Sequence, residues 1–85
     1  MADKLVGVIS HYFGNISVAG IEITKGSLKV GDTIHIKGHT TDFKQTVDSM
    51  QVDLKPVEKA KKGESIGIKI GDRVRVHDEV FISND

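Results

Sequence analysis

From Thr33 to Lys37 the apolar side chains Ile34 and Ile36 alternate with His35, and Ser65–Ile70 and Glu79–Ile82 show the same two-residue period. Such a period places successive side chains on opposite faces of an extended chain, so each run reads as a strand with one face turned to a core. The runs are short and are separated by Gly7, Gly14, Gly20, Gly26, Gly31, Gly38, Gly63, Gly67 and Gly71, with Pro56 as the single proline. Short strands joined by tight turns follow from that punctuation.

The expected strands are Lys4–Phe13, Ile16–Ile23, Thr33–Lys37, a long Phe43–Leu54, Ser65–Ile70 and Glu79–Ile82, with a short extra piece at Val74–Val76. Parity changes inside the long strand, since Phe43, Gln45 and Val47 fall on one face and Met50, Val52 and Leu54 on the other; a bulge near Asp48 and Ser49 would bring both sets inward. A similar change at Gly20 separates Ile16 and Val18 from Ile21 and Ile23. Bends of this kind are what a small closed barrel needs at its corners. Val57–Lys62, ending at Gly63, has room for one helical turn. The expected fold class is therefore all-β: a small closed antiparallel β-barrel of about six strands, forming a single domain over residues 1–85 with its core at about 4–82. A chain of 85 residues leaves little core to spare. With no Trp and few aromatics, branched aliphatics must fill it.

Three segments echo one another: LKVGDTIHI at Leu28–Ile36, AKKGESIGI at Ala60–Ile68 and VRVHDEVFI at Val74–Ile82. Each has a basic residue second, an acid fifth and apolar residues seventh and ninth. Gly31 and Gly63 precede the acid in two copies, where a left-handed backbone would cost a residue with a side chain about 1 kcal/mol or more. His77 stands there in the third, and His is enriched at positive φ. Asp32, Glu64 and Asp78 are placed to accept backbone N–H groups as the chain enters a strand. The echo is thus expected to repeat a structural turn (Gly31, Asp32; Gly63, Glu64; His77, Asp78) rather than a ligand site.

Chemistry-bearing patterns are sparse. TKGS at Thr24–Ser27 has the wrong order for a phosphate-cradling loop, and Gly63, Gly67 and Gly71 bracket a strand instead of opening a helix. Cysteine is absent, so neither disulfides nor thiolate metal sites exist. His11, His35, His39 and His77 read as exposed strand or turn residues rather than metal ligands. None of Ser10, Ser27, Ser49 and Ser65 lies in a nucleophile elbow, and the paired acids Asp48/Asp53 and Asp78/Glu79 are explicable as solvated strand and turn residues. No catalytic residue, metal or cofactor is expected. The start MADKLVGVIS is too short and too charged for a signal peptide or a membrane span, giving the expectation of a cytoplasmic protein that meets no membrane.

Net charge is zero, but its distribution is uneven. Lys55, Lys59, Lys61, Lys62, Lys69, Arg73 and Arg75 outnumber Glu58, Glu64 and Asp72 between positions 55 and 75. Of these, Lys55, Lys59, Lys61, Lys62, Arg73 and Arg75 are candidate RNA-binding residues through phosphate contacts, and Tyr12 and Phe13 beside His11 are candidates for base stacking.

KGSLKVGDTIHIKG at Lys25–Gly38 resembles the second-domain β-barrel of translational GTPases such as elongation factor Tu and its initiation factor relatives, where a Gly, an apolar residue, a basic residue, Val-Gly-acid and an alternating strand occur in that order. AKKGESIGIKI at Ala60–Ile70 is similar to a later segment of that domain, and VRVHDEVFI to its last strand with His77 in place of the usual Gly. The resemblance spans about Lys4–Ile82 and extends to small elongation-factor-like proteins and to the barrel appended to some collagenase-like peptidases. It implies a translation-protein second-domain fold without enzymatic activity, and RNA or the ribosome as partner. The GTPase domain is not part of the match, so GTP binding is not implied. The acidic pair and Phe that help hold the aminoacyl end of transfer RNA in elongation factor Tu have no counterpart in Gly7-Val8-Ile9-Ser10. The alternative reading is a protein-interaction module that docks on a collagenase-like peptidase or an RNA-modifying enzyme through a strand edge or apolar rim.

Overall fold

The computed structural model describes residues 3–53 and 55–83. Among the described residues there are ten strands: β1 (Lys4–Phe13), β2 (Val18–Ile23), β3 (Ser27–Lys29), β4 (Thr33–Lys37), β5 (Asp42–Thr46), β6 (Met50–Val52), β7 (Lys55–Val57), β8 (Lys59–Lys61), β9 (Ser65–Lys69) and β10 (Glu79–Ser83). Eight of them form one sheet in the order β5-β4-β10-β1-β2-β9-β6-β7, while β3 and β8 form a separate two-stranded ribbon. Every pairing is antiparallel.

Alternation builds the core. Ile34 and Ile36 of β4, Ala19, Ile21 and Ile23 of β2, and Ile66 and Ile68 of β9 are all buried, joined by Leu28 and Ala60 from the ribbon. Each fully buried Ile is worth about 1.5–3 kcal/mol relative to exposure, so this one face supplies most of the drive to fold. Tyr12, Phe43, Val52, Val57 and Ile82 pack against the cluster from its margin.

The hydrogen-bonded ladder is not closed, which corrects the expected sealed barrel. Among the described residues β5 and β7 each have one strand neighbour and no ladder joins them. The reason lies at β9. Its side away from β2 is taken by β6 only at Gly67 and Ile68, and farther along β5 reaches it through a side chain. The Gln45 amide donates to the Lys69 carbonyl at 3.0 Å, and its oxygen accepts the Gly71 N–H at 2.9 Å. Beyond β5 the backbone of Val47 is already engaged, accepting from the Gly31 N–H at 2.9 Å and donating to the Asp32 carbonyl at 2.8 Å. The chain therefore leaves the sheet at 47–49, and the long Phe43–Leu54 strand is in fact β5 and β6, with Leu54 itself outside the described residues.

Other expectations also change. The parity shift expected at Gly20 sits instead on β1, where the register slips between Ile9 and His11, so β2 alternates without interruption and Ile16 is left 57% exposed. A second slip falls between Leu5 and Gly7 of β1. Gly7 is held so close to β2 that a Cβ there would run into the Glu22 carbonyl. Val57–Lys62 forms no helical turn, because Lys59–Lys61 pairs with Ser27–Lys29 and Lys55–Val57 pairs with β6. Val74–Val76 is not a strand, although Val74 is buried.

The three echoed segments share one geometry. The N–H of Asp32, Glu64 and Asp78 donates to the carbonyl three residues back (Lys29, Lys61, Arg75) at 3.0–3.1 Å. The carboxylates of the same acids accept the N–H of Lys29, Lys61 and Arg75 at 3.1, 2.8 and 2.9 Å. The preceding residue has φ of 99° at Gly31, 94° at Gly63 and 79° at His77. Each turn also clasps the backbone of one buried aliphatic through a pair of hydrogen bonds: Val47 in the first, Ile23 in the second, Ile9 in the third. The repeated element fastens distant parts of the chain together.

Candidate functional site: charged faces and an outer trough

The basic residues singled out from sequence fall on different elements. Lys55 lies at the start of β7, Lys59 and Lys61 on β8, Lys62 in the turn after it, and Arg73 and Arg75 in the segment between β9 and β10. All six are exposed. Arg73 and Arg75 flank the buried Val74 and line a hollow of about 230 Å³ with Thr40, Thr41, Asp42, Phe43 and Asp72. Asp42 and Asp72 share that hollow with the two arginines, so the charge there is mixed rather than uniformly basic.

His35, expected on an exposed strand face, has a side chain that is only 13% exposed. Nδ1 lies 2.9 Å from Asp3 and Nε2 2.5 Å from Asp42. These hydrogen bonds, that to Asp42 first and that to Asp3 second, raise the imidazole above its ordinary value against the opposing effect of burial. Asp42 is correspondingly lowered, chiefly by the same bond. The cluster ties the residue before β1 to the β4–β5 hairpin. Nothing in the sequence signals it: Asp3 and His35 are far apart along the chain, and Asp42 reaches His35 diagonally, since His35 pairs with Lys44 and Asp42 with Lys37.

A second feature lies on the outer face of β1, β2, β9 and β6. His11 faces Gly20, Gly20 faces Gly67 and Gly67 faces Gln51 across the strands, so two residues without side chains form the floor of a trough of about 540 Å³. Phe13, 49% exposed, stacks on His11 with ring centroids 6.0 Å apart at 7° and forms one wall with Ile16. Tyr12, the other aromatic considered for stacking, packs against the core. Ser10 Oγ lies 3.4 Å from His11 Nδ1, but its proton goes to the Gly20 carbonyl at 3.2 Å. It is a strand-to-strand tie rather than an activated nucleophile. Among the described residues no group of three or more His, Cys, Asp or Glu is arranged to hold a metal ion, and no helix is long and apolar enough to cross a membrane.

These features define an open all-β module whose concavities are shallow and whose lysines and arginines lie on its outside. The family model for elongation factor Tu domain 2 matches residues 17–78, and the chain belongs to that family. It is similar to an uncharacterised protease of Methanocaldococcus jannaschii, 44% identical over 78 residues that make up 91% of this chain and 19% of the relative. A collagenase of Porphyromonas gingivalis is 40% identical over 77 residues, 89% of this chain and 21% of the relative. The chain thus spans about a fifth of the length of the curated relatives it matches. The C-terminal domain of a Geobacillus thermoleovorans protein classed as a U32 peptidase superposes with a TM-score of 0.88 at 13% identity, covering 95% of this chain and 93% of that one, which establishes a shared fold.

The relatives overturn the expectation that RNA or the ribosome is the partner. Those that align with nine-tenths of the chain bear the names of proteases and collagenases. The division of the basic residues among β7, β8 and the segment before β10, with Asp42 and Asp72 lining the hollow of Arg73 and Arg75, is the physical reason why an excess of charge in sequence need not make a phosphate-tracking surface.

Proposed function

We propose that this chain is a non-catalytic protein-interaction module that docks on a collagenase-type peptidase. The observation that carries the reading is the pair of alignments to a protease and a collagenase, which take in nearly all of this chain and only about a fifth of either relative. Most of each relative's length lies outside the match, as befits an accessory module beside a larger body. The geometry is compatible with it, since the concavities are shallow and the Ser10 hydroxyl donates to the Gly20 carbonyl. The module acts as one unit over its whole length.

Affinity capture with the tagged chain from nuclease-treated extract, read by mass spectrometry, tests this. A peptidase of the collagenase type is expected among the retained proteins at a level that nuclease does not change. Retention that disappears with nuclease would overturn the docking reading. Gelatin or peptide hydrolysis that co-elutes with the purified chain would overturn its non-catalytic part.

A further inference from the structure

We propose that the outer face of the β3–β8 ribbon binds a carboxylate-rich segment of a protein partner; this deepens the docking reading and rests on it. Leu28 and Ala60, directly paired, are turned into the core. Alternation therefore puts Ser27 and Lys29 of β3 and Lys59 and Lys61 of β8 on the opposite, outward face. Lys29 stands directly across from Lys59, and Ser27 from Lys61. Like charges placed directly opposite on paired strands are destabilising, and a ribbon of three residue pairs has few contacts to absorb that.

Among the described residues these ammonium groups form no ion pair: none of Lys29, Lys59 and Lys61 has a carboxylate within 4.0 Å of its nitrogen. The acids nearest along the chain, Asp32 and Glu64, point instead at the backbone N–H of Lys29 and Lys61. Lys29 and Lys59 line a shallow hollow of about 460 Å³ with Glu58 and Val30, the last 38% exposed. One carboxylate, Glu58, shares the hollow, but Lys29 and Lys59 with Lys61 beside them leave the face with an excess of positive charge around an exposed aliphatic, which complements a segment in which Glu or Asp side chains flank an apolar one. RNA fits less well, because base recognition needs stacking surfaces and the chain's aromatic rings lie on β1, β5 and β10, none on the ribbon.

The test is a titration of the isotope-labelled chain with a synthetic peptide of repeating Glu-Glu-Val at low salt, followed by amide chemical shifts, with an oligouridylate of equal charge as the comparison. The expected result is shifts centred on Lys29 and Lys59–Lys61 that fade as salt rises, with the peptide bound more tightly than the oligouridylate. Lys59→Glu, which places opposite charges face to face, should weaken the peptide about tenfold or more while raising Tm by about 2–4 °C. Absence of shifts on the ribbon, tighter binding of the oligouridylate, or undiminished peptide binding by both Lys59→Glu and Lys29→Glu would overturn the proposal. In affinity capture, a Lys59→Glu/Lys61→Glu chain that retains the peptidase as well as the unaltered chain does would also overturn it while leaving docking intact. Failure of the unaltered chain to capture any peptidase would instead strike the docking reading, and the peptide titration would still decide the ribbon.

Discussion

Gln45 joins β5 to the end of β9 with a side chain where a backbone ladder is missing: its amide donates to the Lys69 carbonyl at 3.0 Å and accepts from the Gly71 N–H at 2.9 Å. One carboxamide thus does for this seam what a pair of peptide groups does elsewhere in the sheet. The rest of the fold rests on many ladder bonds, whereas this contact rests on one residue.

Replacing Gln45 with Ala should cost about 1–2 kcal/mol, since two hydrogen bonds are lost while solvent reaches the orphaned groups. Urea denaturation gives the stability. Amide exchange gives the location, with the Gly71 N–H expected to exchange faster relative to the β1–β2 ladder. An unchanged Gly71 rate in the variant would remove Gln45 as the link across the seam.

The shared turn geometry yields a paired expectation. Gly63→Ala forces a methyl-bearing residue to φ of 94° and should destabilise by about 1–2 kcal/mol. His77→Gly relieves a residue held at φ of 79°, but Gly loses more freedom on folding, so the net gain should be only about 0.5 kcal/mol. Thermal unfolding of both variants checks the opposite signs. If His77→Gly proves clearly destabilising, the His77 side chain contributes something that its backbone does not account for.

The His35 cluster sets a pH window. The raised imidazole contributes stability that is complete below its ordinary value of 6.5 and is lost as pH climbs through the higher folded value. The lowered Asp42 contributes stability that is present above its ordinary 3.8 and is lost as pH falls through the depressed one. Both describe one interaction, so its contribution is greatest between those two ordinary values. It should be modest, because the Asp42 side chain is 71% exposed and solvent screens it. Denaturant midpoints for the unaltered chain should fall between pH 6 and pH 8 more than those of His35→Gln. Magnetic resonance titration of the ring should have its midpoint above 6.5. A midpoint at or below that value would exclude the double carboxylate contact in solution.

What could be read along the chain was whatever depends on near neighbours. The alternation of Ile34 and Ile36, of Ile66 and Ile68, and of Ile21 and Ile23 marked β4, β9 and β2 and their buried faces. By contrast, Ser27–Lys29 and Lys59–Lys61 were invisible, since three residues carry too little periodicity to identify a strand and each exists only because the other lies beside it. The basic stretch misled for a related reason. Adjacency in sequence placed Lys59 with Arg73, yet the fold sets one on a ribbon and the other beside Asp42 and Asp72.

The amino-acid order alone thus settled the all-β character and which aliphatics would be hidden, because strand period is a property of consecutive residues. Closure of the sheet, the setting of His35 between two carboxylates and the facing of Lys29 with Lys59 were decided only when remote segments met. Those outcomes depend on the register of strands remote in sequence, and a single-residue slip changes which side chains meet.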